Sequence, residues 1–532
     1  MVRTSNKKAD RIAIFVLIGL ALLAIGGSVF SNYKENKKNY INEQKEKIDD
    51  YKNSTIGIIT GSSFETLTKE KFPNATYKYL DNVSDVAYNL SIGKIDAYLL
   101  DDSTFSILFD EYKYFGYVEE SVGSVDYGTM FSSTVFGNEL KKEYNVFLGK
   151  CKQSGFIEEL KDKWINEVDD TKKIVDYTLP KNPKKIINFA CTSQVQPFCY
   201  YKNNNFVGFD IDLLFNFCRE YNYGVVISDG AISSLTTGIS TGIYDMVSCA
   251  LSITEERKAT ISFSDPYYTT NIYLVINYAS NSYYANHPEE IKEISIFESI
   301  KDSFYKNFIK ENRFLMIING MVTTLIITAG SAILGLAISF IIVLLRRLNS
   351  KVINKVCDIY VRILQGTPNL VLLMILFYVV FGNAGIGPIV VSIIAFGLCS
   401  GAFVSEIFIN AINSISIGQR EAYLALGYKE SQGFFRFLMP QAILRFLPVY
   451  KGELVSLLKG TSIVGYIAIQ DLTKASDIIR SLSYDAFFPL IVSALIYLLL
   501  SWLIILLIDS IKINIDPKTI RRKKEKEEKL ND

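Results

Sequence analysis

Apolar residues in this chain change rhythm from region to region. Ile12–Phe30 is one uninterrupted apolar run, preceded by Arg3, Lys7, Lys8 and Arg11. Its length suits a membrane span, and its flanks also suit a signal-peptide core. "AIGGS" at its end offers small residues but no clear A-x-A site, so we read the run as an uncleaved anchor. From residue 31 to 315 no apolar stretch approaches the roughly 18 residues a span requires. Short apolar runs alternate there with amphipathic helical stretches, first over Ser54–Asp102 and again from Lys184 to Tyr268. Such alternation predicts α/β structure. Long apolar runs then resume at Met316–Leu345, Val361–Phe381, Ile389–Ile409, Phe446–Ile469 and Phe487–Ile508.

Basic residues orient these spans. Arg346, Arg347, Lys351 and Lys355 follow the first of the five, and the chain closes on "KTIRRKKEKEEK". With the N-terminus inside, the positive-inside rule puts the α/β region outside the cell. It puts Arg346, the stretch Glu421–Ala442 and the tail in the cytoplasm. The predicted organisation is 1–50 N-terminus, anchor and stalk; 51–170 and 183–280 the α/β halves, joined by 171–182; 281–310 a linker; 311–512 the membrane domain; and 513–532 the cytoplasmic tail.

Composition narrows the chemistry. A net charge of +1 gives no electrostatic case for nucleic acid. The single histidine, His287, removes histidine-based triads and metal sites. Seven cysteines without a CxxC pair argue against zinc and against a disulfide framework, and read as small buried residues. No Walker A loop is present. We therefore expect no catalytic residues, no metal and no cofactor in this chain.

The stretch "EAYLALGYKESQGFFRFLMPQA" (Glu421–Ala442) is too polar to cross a membrane. It predicts a short helix, a left-handed stop at Gly427 and a new helix beginning near Pro440. Its Glu421, Ala422, Gly427 and Pro440 resemble the EAA loop (421–440) of ABC importer permeases. "QGTPNLVLLMILFY", "AFVSEIFINAINSISIGQREAY" and "LLKGTSIVGYIAIQDL" extend the likeness over residues 311–510. This region is similar to the polar amino acid, glutamine/histidine-type, permease family. That implies a separate ATPase subunit, carrying ATP and Mg, docked on the cytoplasmic loop. It also implies pairing through the permease domain, with a homodimer the simplest arrangement and a heterodimer the other. Two departures are Tyr423 at the third EAA position and Asn410 where the family has Arg.

The α/β halves resemble amino-acid-binding proteins of the periplasmic type. "SITEERKATISFSDPYY" carries the lobe 1 signature, and Ser54–Asp102 looks like lobe 2, followed by "LKDKWI", similar to such proteins' carboxy-terminal end. The order is reversed, which implies one circularly permuted two-lobed domain; two half-domains completed by another chain are the alternative. The whole is thus expected to be multi-domain: an α/β two-lobed binding-protein-like domain, an all-α permease of five spans and an N-terminal anchor.

A free amino acid offers a carboxylate and an ammonium. Arg257 suits the carboxylate as a bidentate fork; its competing reading is a surface ion pair with Glu255 or Glu256. By the resemblance, Ser252, Ala250 and the Gly61–Ser62–Ser63 turn assist. Asp101 suits the ammonium; a helix cap is its other reading, and Asp102 could take its role. Asp210 and Asp212 are expected to cap the helix at "GFDIDLL". Val195 and Ile232 stand where the family has stacking aromatics, and Phe198 and Tyr200 lie nearby in sequence. The resemblance implies an amino acid importer in the cell membrane with a fused receptor. A ligand-sensing receptor or ligand-gated channel on the same binding fold is the alternative, "TSIVGYI" having some likeness to a potassium filter.

Overall fold

The computed structural model describes residues 47–112, 115–167, 169–277, 296–348, 350–382 and 384–515. The expected anchor Ile12–Phe30, His287 and the basic tail from residue 516 lie outside the described residues. The chain forms two compact units. One holds the described residues up to Ile318 together with Lys474–Val492; the other holds Asn319–Thr473 and the residues from Ser493 onward.

The first unit is built on two sheets. In chain order the strands are β1 (Thr55–Ile59), β2 (Thr76–Leu80), β3 (Ala97–Asp101), β4 (Phe115–Tyr117), β5 (Gly123–Tyr127), β6 (Met130–Phe131) and β7 (Lys185–Cys191). They continue with β8 (Gln194–Val195), β9 (Cys199–Lys202), β10 (Asn205–Val207), β11 (Tyr223–Asp229), β12 (Met246–Val247), β13 (Ser262–Phe263) and β14 (Tyr268–Asn277). Lobe 2 carries the order β2-β1-β3-β14-β4, with β5 on β14; lobe 1 carries β11-β7-β12-β6-β13. Strands β8 to β10 make a separate small antiparallel sheet. β3 is buried at every position, and β7 from Phe189 onward. Strands covered on both faces read as continuous apolar runs rather than alternations.

The lobes exchange strands, which corrects the predicted halves 51–170 and 183–280. β6, from the first half, pairs with β12 and β13 in lobe 1 (Met246↔Phe131, Ser262↔Phe131). β14, from the second half, pairs with β3 in lobe 2 (Leu274↔Leu99). Trp164, in the "LKDKWI" stretch, is buried in the lobe 1 core with Tyr144, Phe147 and Phe217. The chain crosses between lobes twice, at 128–129 and 264–267, and the crossings bond side by side: Ser264 N to Thr129 O at 2.8 Å, Tyr267 N to Tyr127 O at 3.0 Å. A lobe assignment made by contiguous sequence cannot capture this exchange.

Asp210 and Asp212 do not cap the helix Phe209–Tyr221; Gly208 occupies that position without a side-chain cap. Both carboxylates tie elements together instead. Asp210 accepts from Ala250 N (2.9 Å) and Ser248 Oγ (2.9 Å). Asp212 accepts from Lys163 Nζ (2.6 Å) and Trp164 Nε1 (3.1 Å). They are the second and fourth residues of the helix, past the N-cap position at Gly208.

Phe314–Arg346, Pro388–Asn413 and Phe488–Ile511 are single helices long and apolar enough to cross a membrane. Two bent pairs raise the number of spans to as many as five: Lys351–Gly366 with Asn369–Val380, bent by 104°, and Glu430–Ile467 with Leu472–Ser483, bent by 55°. The expected span Val361–Phe381 is therefore broken, at Thr367–Pro368. Proline pushes its predecessor out of helical geometry, and Thr367 sits at φ −101°, ψ 126°. The run at Phe446–Ile469 likewise ends its α-helix at Gly460 and continues as a 3-10 turn, Thr461–Ile467. Membrane and α/β residues also interleave more than the boundary 311–512 supposes, since Lys474–Val492 groups with the α/β unit.

Candidate functional site

The turn after β1 and the segment after β12 meet across the two lobes. Gly61 takes φ +77° and leads through Ser62 and Ser63 into the helix Phe64–Lys71. Opposite, Thr254 caps the short helix Glu255–Lys258 by accepting from Arg257 N at 3.2 Å. That fixes Arg257 so that Nη1 donates to Ser252 O (3.3 Å) and Nη2 to Gly61 O (3.4 Å). Ser63 Oγ donates to Ser252 Oγ at 2.7 Å. Gly61, Ser63, Ser252 and Arg257 thus form one closed contact between lobes.

Arg257 is half-buried, and burial holds its guanidinium below its usual range. Among the described residues no carboxylate lies within salt-bridge distance of it; Glu255 pairs with Lys258 at 2.9 Å. Its partners are neutral carbonyls. A carboxylate arriving there would restore the charge balance that desolvation removes.

Asp101 ends β3 and is buried. Burial raises its carboxyl to about 6, opposed by the hydroxyls of Ser103 and Tyr127. Ser103 donates to Asp101 directly. Tyr127 joins Asp101 to the contact between the lobes, since its backbone bridges Ser252. Asp102 is engaged elsewhere, accepting from Thr270 Oγ1 at 2.6 Å.

Ala250 adopts φ +51°, a strained value for a residue with a side chain, and its N–H is held by Asp210. Burial pushes the Asp210 carboxyl up to about 6. Val195 in β8 and Ile232, opening the helix Ile232–Ser240, are half-buried on the lobe 1 side. Phe198 and Tyr200 are buried in the lobe 1 core: Phe198 meets Tyr127 edge-on at 5.3 Å, and Tyr200 meets Trp164 at 6.4 Å.

Sequence reasoning missed Tyr127, Ser103 and the pair Ser193–Asp229. Asp229 accepts from Ser193 N (3.0 Å) and Ser193 Oγ (2.6 Å) at the carboxyl ends of β11 and β7. "SDG" after an apolar strand reads as a turn, which conceals the carboxylate's place.

On the membrane unit, Ile417–Ala425 is a helix and Gly427 follows it at φ +82°. Gly427 N bonds Leu424 O (2.9 Å) and Tyr428 N bonds Tyr423 O (3.0 Å), the paired Schellman stop. Glu421, Ala422, Leu424 and Leu426 are exposed on it. Tyr423 is buried; its hydroxyl donates to Glu430 Oε2 at 2.8 Å, and Arg420 Nε donates to Glu430 Oε1 at 2.7 Å. The return follows the expectation in part. The α-helix Met439–Gly460 opens with Pro440 in its first positions, but it follows without a break on helical residues from Glu430, with a π turn at Phe434–Leu438. A π turn re-spaces the backbone bonds where proline supplies no N–H.

Thr461–Ile467 has its carbonyls turned into a 3-10 helix. An ion filter needs a row of carbonyls facing a pore, so this stretch is not built as one.

Comparison with known proteins fits this second unit. Residues 335–521 match the family described as binding-protein-dependent transport system inner membrane component. The arginine transport system permease protein ArtQ of Bacillus subtilis (strain 168) is 32% identical, over 35% of this chain and 85% of its own. The L-cystine transport system permease protein TcyB of the same strain is 31% identical, over 35% and 80%. The nopaline transport system permease protein NocM of Agrobacterium fabrum is 30% identical, over 34% and 80%. Among solved structures, an amino acid ABC transporter crystallised with histidines is 28% identical, covering 42% of this chain and 99% of that one, at a TM-score of 0.36. A phosphate-binding protein of a Streptococcus pneumoniae ABC transporter aligns over 43% and 90%, at 11% identity and a TM-score of 0.24. The exposed Schellman-stopped helix and the match around it lead to one conclusion: this chain belongs to the binding-protein-dependent transport system inner membrane component family.

Proposed function

We propose that this chain is the permease subunit of an ABC importer for a free amino acid and carries its own receptor as the two-lobed α/β unit. The observation that carries the reading is the half-buried Arg257, set between neutral carbonyls of both lobes, in one chain with the permease family's membrane domain. The permease relatives are named for arginine, cystine and nopaline transport, which supports an amino acid or its derivative as ligand.

In this reading Arg257 grips the α-carboxylate, with Ser252 and the Gly61–Ser62–Ser63 turn as further donors, while Ala250, whose N–H is taken by Asp210, sets the backbone path to Ser252. Asp101 takes the ammonium, and Val195 and Ile232 touch the side chain. Lobe closure about the crossings at 128–129 and 264–267 commits the ligand. The receptor faces outward and the termini inward, in line with the Lys and Arg residues near the span ends. Each bent helix pair counts as a span, giving five. Glu421, Ala422, Gly427 and Pro440 dock a separate ATPase subunit, which supplies ATP and Mg. Two copies pair through their permease domains. Completion of both sheets by one chain, with lobe 2 strands preceding lobe 1 strands, supports a circularly permuted receptor rather than two half-domains.

The test is thermal melting of the full-length protein in detergent with each of the twenty amino acids and cystine. A ligand at 100 times its Kd adds about 2.7 kcal/mol of stability. We expect one class of amino acid to shift the melt in wild type and not in Arg257→Ala. A shift that survives Arg257→Ala would overturn the assignment of the carboxylate site.

A further inference from the structure

A buried lysine reaches the ligand end of lobe 1 from the helix Leu472–Ser483. Lys474 is 7% exposed, and its Nζ lies 3.8 Å from Asp229 Oδ1. Asp229 is itself buried, at the carboxyl end of β11 beside the carboxyl end of β7, with Asp229↔Cys191 in register. Open α/β sheets receive ligands beyond those strand ends. The residues expected around a ligand side chain border this carboxylate in the chain. Val195 lies two positions past Ser193, which bonds Asp229, and Ile232 three past Asp229 itself. Arg257 lies in the segment after β12, and β12 and β11 both pair with β7, Val247↔Ala190 and Asp229↔Cys191, so both segments leave lobe 1 beside the same strand end.

The same helix holds lobe 2. Arg480 pairs with Asp85, Ser84 Oγ donates to Arg480 O at 2.8 Å, and Tyr112 Oη donates to Tyr484 O at 3.0 Å. Leu482 packs against the lobe 1 core. The segment is therefore fixed on both lobes, and Lys474 is not a loosely placed surface side chain.

A buried carboxylate facing an ammonium is the pairing that a cationic ligand group would make. We propose that Asp229 is the carboxylate that recognises the side-chain cation of a basic amino acid, and that Lys474 competes for it as a built-in ligand mimic that drives release. This rests on the importer reading above. The arrangement makes the receptor's affinity for basic ligands lower when Lys474 occupies Asp229.

Calorimetric titration of the full-length protein in detergent tests this, with L-arginine, L-lysine and L-ornithine against L-glutamine and L-methionine. Loss of one charge-assisted competitor predicts about tenfold tighter binding of the basic ligands to Lys474→Met, with L-glutamine and L-methionine unaffected. Lys474→Arg should restore the weaker binding, and Asp229→Asn should remove the preference for basic ligands. Arg257-dependent binding that Lys474→Met leaves unchanged, or strengthens equally for all ligands, overturns the role of Lys474 alone. Binding of no amino acid by wild type, Lys474→Met or Asp229→Asn overturns the importer reading with it.

Discussion

In the proposed site, Arg257 and Asp101 would meet a ligand in two different ways. Arg257 meets carbonyls through separate nitrogens, so shape matters as well as charge. Arg257→Lys keeps the charge but loses the fork. It should weaken ligand binding by about 1.5–3 kcal/mol, the range of a hydrogen bond to a charged group, as read by titration. Asp101, with its carboxyl at about 6, lies above the roughly 3.9 of an exposed aspartate. Protonation therefore favours the folded state: the stabilisation is full below about pH 4 and is lost as pH rises through about 6. An ammonium needs the ionised form, so affinity should fall by about tenfold per unit as pH drops below 6, while the ligand-free melting temperature rises over the same window. Affinity constant from pH 7 to pH 5 would remove Asp101 from the site. Arg257 could be singled out from sequence because it sits in a long local motif, and the structure places it where the two lobes meet. Tyr127 and Asp229 were not, because each acts through partners far away in sequence: Tyr127 through Asp101, and Asp229 through Ser193.

Among the elements, the helix Ile417–Ala425 and its return depend on two glycines for different reasons. Gly427 sits at φ +82°, where a side chain is strained. Gly433 lies under Tyr423, and a Cβ there would meet the ring at 2.1 Å. Gly427→Ala should cost about 1 kcal/mol of local stability. Gly433→Ala should push Tyr423 off Glu430 and loosen the helix as a unit. For both variants we expect reduced ligand-stimulated ATP hydrolysis in the reconstituted complex, with ligand affinity unchanged. Normal hydrolysis by Gly433→Ala would show that Tyr423 does not brace this surface. The sequence announced the helix, its stop and its exposed face through glycine and apolar spacing. It did not announce the π turn at Phe434–Leu438 or the break at Thr367–Pro368, because a hydropathy run is blind to backbone bonding. Asp210 and Asp212 illustrate the same gap: cap chemistry is local, but the partners that claimed them lie at Ala250 and Trp164.

For the molecule as a whole, the two-lobed class was readable from alternating strands and helices, whereas lobe membership was not. Strand exchange gives a direct check. A protease site engineered between Tyr177 and Pro183 should yield a nicked α/β unit that stays associated in detergent and, if it is the proposed receptor, binds ligand with unchanged affinity, because β6 and β14 remain paired across the cut. Separation of the fragments without denaturant would contradict the two-sheet arrangement. The same exchange sets a schedule for synthesis. β3 is made early, yet its neighbour β14 ends only at Asn277. At ribosomal rates of about 5–20 residues per second, that neighbour follows on the order of ten seconds or more later. Throughout that interval the nascent chain offers the bare edge of a strand that the fold buries at every position. Its survival in the cell depends on whatever shields that edge until the last strand arrives.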